Sequence, residues 1–458
     1  MKKKRKSLKI ILRRENGITL ITLVITIIIL LILASVTLNV VLGEGGLIEK
    51  AKIAKNMTEE SAIKQQEELN NLMEEYANIM ADDGNIKEPI DISIKESHTT
   101  ESITIEVETS SEEEMTYKYY INGKLESTRN EPTYTTNITL ENKDPYIPSA
   151  FTHTEGTVEE GYVIQDTSIG NEFVWIPVAS GIYEVYVEVE ASDGNTGKSD
   201  EMTIEISELT REIDGITYDK WTENEGDITD EKSVAYFKHS VVTNSGFYIG
   251  RYEMGMPGQQ SGDAPVLDFT NEARNISGVP VCVAKVMPWT NIDWSTAKAN
   301  LESMYRGEVE SAMMNSYART TTIKWLKDYQ YLNTVENSWQ DNNFYFNGYY
   351  YYSGELGKTN GYENPYDIND GGATQEGVMI ETGADVLNNT HTGPIYDLGG
   401  NLSEWTTEKR IDGKGYRASG GNYSRDPLGY GIIDDNNSLY IAEKTGSIEI
   451  SSRPILYK

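Results

Sequence analysis

One cysteine and four histidines make up all the thiol and imidazole chemistry of this chain. Cys282 lies in VPVCVAKV, an alternating apolar run, and that setting predicts a buried strand residue rather than a nucleophile, because apolar surroundings disfavour the thiolate. His98, His153, His239 and His391 fall at no H-x-x-x-H spacing, and the lone H-x-E, His153-Thr154-Glu155, has no second histidine or cysteine near it in sequence, so zinc and iron have no ligand set in the sequence. The 72 Asp and Glu residues contain no acid/base pair that spacing alone can single out. What remains is recognition chemistry. Residues 338–366 place Trp339, Phe344, Tyr345, Tyr349, Tyr350, Tyr351, Tyr352, Tyr362 and Tyr366 among Asn, Asp and Gly. Rings with polar tips next to amides can stack on sugar faces or anchor a protein epitope at small entropic cost. If Tyr349 to Tyr352 form a strand, alternate rings point to opposite faces, two exposed and two buried.

Such a surface has to be positioned, and the N-terminus states where. Lys2, Lys3, Lys4, Arg5, Lys6, Lys9, Arg13 and Arg14 precede residues 18–42, an uncharged, mostly apolar run. About 25 residues make roughly 37 Å of helix, enough for one membrane crossing. The basic flank keeps the N-terminus cytoplasmic and sends the remainder outside. The segment resembles the N-terminus of type IV prepilins, with residues 1–17 as leader, Gly17 as its last residue, Ile18 as the first mature one, and TLITLV where that family has TLIELV. The resemblance implies cleavage after Gly17 and methylation of Ile18 by a prepilin peptidase, and other pilins as partners. An uncleaved anchor is the alternative reading. Thr22 replaces the usual Glu, whose carboxylate pairs with a neighbouring subunit's amine in the fibre core. That departure implies a minor or tip subunit, or one that stays in the membrane.

The net charge of -32 becomes still more negative once the basic leader is removed. Such a surface repels nucleic-acid phosphate and anionic lipid, so nucleic-acid binding is excluded. With one cysteine there is no intramolecular disulfide, and the folds must stand on their cores.

Residues 43–82 carry Ile63, Leu69, Leu72, Met73, Tyr76, Ile79 and Met80 mostly at three- and four-residue steps, an amphipathic stalk helix. From residue 83 to 142 the period becomes two in DISIKE, SITIEVETS, TYKYYING and PTYTTNITL, with Asn122-Gly123 as a turn. These segments resemble the strands of an immunoglobulin-like or fibronectin-like β-sandwich, of which about seven are needed. The closing pair is missing until residues 181–206, with Asp193-Gly194-Asn195 at the turn, whereas residues 161–178 between the halves read as the opening strands of another domain. The expectation is an interleaved arrangement in which the later hairpin pairs back onto the first sheet.

The last domain, residues 143–458 with an insert at 181–210, holds all seven tryptophans. GNEFVWIPV, GFYIGRYEMG, VMPWTNIDWSTAKANLESMY, TTTIKWLKDY, IYDLGGNLSEWT, SGGNYS and SSRPILYK follow in order. They resemble the formylglycine-generating-enzyme family, a variant of the C-type lectin fold. The overall expectation is an α+β multidomain chain: membrane and stalk helix, immunoglobulin-like sandwich, lectin-like head. The copper-binding cysteine pair of the oxidase members has no counterpart here, so the resemblance implies a catalytically silent head. It also implies a structural calcium, with Asn401 and Glu404 at the matching positions, although both side chains equally suit backbone bonding in a buried turn. The stretch after SGGNYS, including Tyr423, Tyr430 and Asn436, resembles the exposed variable face of retroelement-diversified lectin-like proteins. Together these readings predict a surface-displayed binding protein whose ligand is a glycan or a protein on another surface. The alternatives are a structural minor pilin capping a fibre and, less favoured, a formylglycine-generating enzyme.

Overall fold

The computed structural model describes residues 89–212, 220–261, 274–328, 382, 394–398, 402–420, 439–441, 447 and 449–458. The chain divides into two compact units, residues 1–88 and 89–458, and the described residues all belong to the second. The leader, the apolar segment at 18–42 and the stalk therefore lie outside them. Among the described residues the fold is β-rich, with three helices, and no helix is long and apolar enough to cross a membrane.

The N-terminal lobe begins with β1 (Ile92–His98), β2 (Ser102–Thr109), β3 (Met115–Ile121), β4 (Lys124–Arg129) and β5 (Thr133–Asn137). Alternation drives them: in β3, Met115, Tyr117, Tyr119 and Ile121 are buried and the residues between are not. Asn122 (φ 50°) and Gly123 (φ 73°) join β3 to β4 in a turn where both residues take the left-handed conformation, the geometry an Asn-Gly dipeptide favours. The polar sequence KLESTR of β4 gives no periodic signal, yet it pairs along β3 as an edge strand.

The chain then leaves this lobe. β6 (Phe151–Glu155), β7 (Val163–Asp166) and β8 (Glu172–Pro177) form a meander that belongs to a different sheet. It returns as the long β9 (Ser180–Ala191), which lies along β3 from Met115↔Ala191 to Ile121↔Val185. β10 (Thr196–Lys198) and β11 (Met202–Ser207) both pair with β9. Between the pairs Lys198↔Glu188 and Met202↔Val185, four steps on one strand face three on the other, so they are one strand interrupted by a bulge. The result is two sheets, β1-β2-β5 and β4-β3-β9 with β10 and β11 on its edge. Ile103, Ile105, Tyr119, Val185, Val187 and Ile204 fill the space between them.

The second lobe continues with β12 (Trp221–Thr222), α1 (Val234–Asn244), β13 (Gly246–Gly250), α2 (Trp294–Glu302), β14 (Glu310–Met313), α3 (Ser316–Asp328), β15 (Ser403–Arg410), β16 (Tyr416–Ser419), β17 (Leu439–Ile441), β18 (Ile450–Ser452) and β19 (Pro454–Tyr457). Its larger sheet is antiparallel, in the order β14-β19-β13-β8-β7-β6. Both faces are covered. Val174, Ile176, Phe247, Ile249, Ile455 and Tyr457 meet Phe237 and Val241 of α1 and Ile323, Trp325 and Leu326 of α3. Phe173, Trp175, Tyr248 and Leu456, one residue out of phase, form a second cluster with Phe151 and Ile164. Each fully buried aliphatic or phenyl side chain contributes roughly 1.5–3 kcal/mol here. The turn from α1 into β13 depends on glycine: Gly246 has φ 155°, and a Cβ there would lie 2.3 Å from the Trp175 ring.

The helices start where capping chemistry places them. Ser233, Asp293 and Asn315 accept from the amides of Tyr236, Thr296 and Ala318 respectively. The smaller sheet orders β12-β15-β16-β17, with β18 parallel to β15.

Candidate functional site

β15, which begins within IYDLGGNLSEWT, has two chemically different sides. Trp405 enters an apolar cluster with Trp289, Trp294, Met254 and Tyr416, donates from its indole to Ile292 O at 3.2 Å, and lies near the Trp294 ring that stacks on Tyr416 at 3.6 Å. The neighbouring Glu404 is fully buried and faces charge instead: its Oε1 accepts from Arg453 Nε at 2.7 Å and stands 2.6 Å from Nη2. The same guanidinium donates to Gly250 O at 2.8 Å and Tyr396 O at 2.6 Å, so one arginine ties the larger sheet, the 394–398 segment and β15 together. Burial raises the Glu404 carboxyl above its ordinary range, and the Arg453 guanidinium opposes that rise.

Glu404 pairs with Ser419 on β16 and with Ser451 on β18, a polar row across three strands. Glu404 Oε2, Ser419 Oγ and Ser451 Oγ are buried with no hydrogen-bond partner among the described residues. These are the oxygens a cation at Glu404 would use; Asn401, the other expected ligand, lies outside the described residues. Among the described residues no three His, Cys, Asp or Glu side chains gather as a metal site.

A second buried charge cluster lies further along β15. Glu408 accepts from Arg417 at 2.7 Å and from Arg211 at 2.9 Å. Beside it, Glu223 accepts from the amide and hydroxyl of Ser316 at 3.0 and 2.8 Å and from Thr407 Oγ1 at 2.6 Å. Burial, and then repulsion from Glu408, raise the Glu223 carboxyl above its ordinary value. This second cluster holds β15 against α3 and the segment that leaves the first lobe, whereas the first holds it against the larger sheet.

Cys282 is fully buried, as its sequence setting predicts, but its segment forms only an isolated bridge at Gly255↔Val281 and is not a sheet strand. Its thiol donates to Tyr252 O at 3.2 Å, and burial pushes its pKa up to about 12, so it is a thiol and not a thiolate at neutral pH. The histidines stand apart: His98 bonds Glu96, His153 stacks on Tyr162 at 4.0 Å, and His239 bonds Glu205 at 2.6 Å.

One cleft, about 220 Å³, lies where the two lobes are joined. One wall is α3, contributing Thr321, Lys324, Trp325 and Asp328; the other is made by the chain crossings at Asn142, Pro177 to Ala179, and Glu208. Thr321 helps to fix the wall, accepting from Thr210 N at 3.0 Å.

Of the candidate site residues read from the sequence, Glu404 is described, and so are Cys282 and three of the histidines. Gly17, Ile18, Thr22, Trp339, Tyr345, Tyr349 to Tyr352, Asn401, Tyr423, Tyr430 and Asn436 lie outside the described residues. The arginines were missed: Arg453 sits in SSRPILYK, and a lone charge between serines and an apolar strand is a readable sign of a buried ion pair. The cleft had no such sign, because its groups come from four distant stretches. No protein-family model matches the chain, and no curated protein matches it.

Proposed function

We propose that the protein is a surface-displayed binding protein, held in the membrane by residues 18–42 and processed after Gly17 in the manner of prepilins. The observation that carries this reading is the run of eight basic residues followed by an uncharged apolar segment at 18–42, ahead of a strongly acidic β-rich unit. In this reading the first lobe is an immunoglobulin-like or fibronectin-like spacer, and the division into β1-β2-β5 and β4-β3-β9-β11 supports it, since those modules split their strands in the same pattern. The second lobe is a lectin-like head without a catalytic role. The buried, protonated Cys282 and the engagement of Glu404 and Glu408 by arginines support that part. The ligand is a glycan or a protein on another surface. A structural calcium at Glu404 would use the free Oε2 and would sit beside the Arg453 guanidinium, which opposes it.

Protease shaving of intact cells, with mass spectrometry of the mature N-terminus, tests the reading. It predicts release of peptides from residues 89–458 and an N-terminal methylated Ile18. Protection of those peptides inside the cell would refute it. The second reading, a minor pilin that caps a fibre, is favoured by Thr22. It predicts co-purification with other pilins and no ligand outside that assembly.

A further inference from the structure

We propose that the cleft between α3 and the chain crossings is a saccharide site that takes one neutral or N-acetylated sugar residue. This rests on the binding reading above and names a place and a ligand class that it leaves open. Thr321, Lys324, Trp325 and Asp328 recur at three- and four-residue steps, so they share one face of α3 and together line the cleft. Lys324 and Asp328 have opposite charges at a spacing that favours pairing, yet no ion pair joins them. Asn142 and Glu208 on the facing wall likewise make no side-chain bond to another described residue. This contrasts with Glu404 and Glu408, whose charges are engaged by arginine.

The cleft therefore offers acceptors from Glu208, Asp328 and the Asn142 amide, donors from Lys324 and the same amide, and a small apolar floor from Pro177 and the edges of the core residues Val178 and Trp325. A sugar residue matches this mixture, because every hydroxyl both donates and accepts and the C–H face of the ring is apolar. A phosphate would meet two carboxylates against one ammonium. An apolar ligand would strip water from four polar side chains without replacing their hydrogen bonds. The volume of about 220 Å³ is below that of a typical drug-sized pocket and suits a single sugar unit. A bound sugar would touch α3 of the second lobe and the segments at 142, 177–179 and 208 that join it to the first.

The test is saturation-transfer NMR on the full-length chain in lipid nanodiscs against glucose, galactose, mannose, N-acetylglucosamine and N-acetylgalactosamine, with inorganic phosphate and calcium chloride titrated separately. At least one sugar should bind, and Glu208→Ala and Asp328→Ala should each weaken it roughly tenfold or more. Both positions are exposed, so the thermal unfolding midpoint should not move. Tyr120→Ala, on the outer surface of the first lobe, should leave binding unchanged. No signal from any sugar would overturn the proposal, as would phosphate or calcium binding in its place. A sugar that binds equally well to both variants would remove the site but leave the display reading standing, since protease shaving measures display independently.

Discussion

Removing the Glu404 carboxylate should be among the most damaging single changes in the second lobe. Glu404→Ala would leave Arg453 fully buried with only the carbonyls of Gly250 and Tyr396 as acceptors, at 2.8 and 2.6 Å. Arginine cannot shed its proton, so the charge stays. Breaking a buried pair from one side costs about 3–5 kcal/mol, because the surviving ion has lost its hydrogen-bonded counter-charge without regaining water, and Glu253, which also acts on Arg453 through charge, replaces it only in part. For a unit larger than a typical single domain, at about 2 °C per kcal/mol, the unfolding midpoint should fall by roughly 5–10 °C. Differential scanning fluorimetry of the full-length chain, in the same detergent for each variant, reads this directly. The double variant Glu404→Leu/Arg453→Met removes both charges and should recover most of the loss. A drop below about 1 kcal/mol for the single variant, or no recovery in the double, would refute the ion-pair argument. Repeating the scan with chelator separates it from the calcium proposal: if chelator lowers the wild-type midpoint but not that of Glu404→Ala, the carboxylate serves a cation.

Other consequences can be checked as simply. Cys282 should resist thiol reagents in the folded chain at pH 8, where a pKa of about 12 keeps it protonated, and react fully in denaturant; fast labelling of the folded chain would contradict its burial. The folded-state pKa of Glu223 lies above its ordinary 4.5, so its protonated form favours folding below pH 4.5 and that contribution is lost as pH rises through the folded value. Glu223→Gln should therefore raise the urea midpoint at neutral pH and have little effect below pH 4.5; an equal effect at both pH values would count against the raised pKa. Val187→Asp places a charge in the core of the first lobe and should make Cys282 of the second lobe reactive, because the chain crosses between them three times. Continued protection of Cys282, with the first lobe unfolded by circular dichroism, would show that the lobes are separable.

Much of the first lobe was legible because its information is local. Alternation in SITIEVETS and TYKYYING places β2 and β3, and an Asn-Gly pair places a turn. The return of the hairpin was also readable, because residues 91–140 lacked closing strands and residues 181–206 supplied a pair with no other obvious sheet. β4 escaped since KLESTR, an edge strand with solvent on its outer side, needs no apolar period. The polar row Glu404, Ser419 and Ser451 escaped for a different reason: it forms only when β15, β16 and β18 come into register. Sequence spacing marked Glu404 but could not supply Arg453 as its partner, forty-nine positions away.

The departure of the chain after β5 also sets an order of events during synthesis. The first lobe has no partner for the inner edge of β3 until β9 emerges, and residues 138–179 must be made in between. At roughly 5–20 residues per second that interval is about 2–8 s, whereas a hairpin forms in about 1–10 μs. The nascent chain therefore carries a finished but open sheet edge for a long time by the standards of folding, and any factor that covers β3 during those seconds would govern the yield of the folded protein.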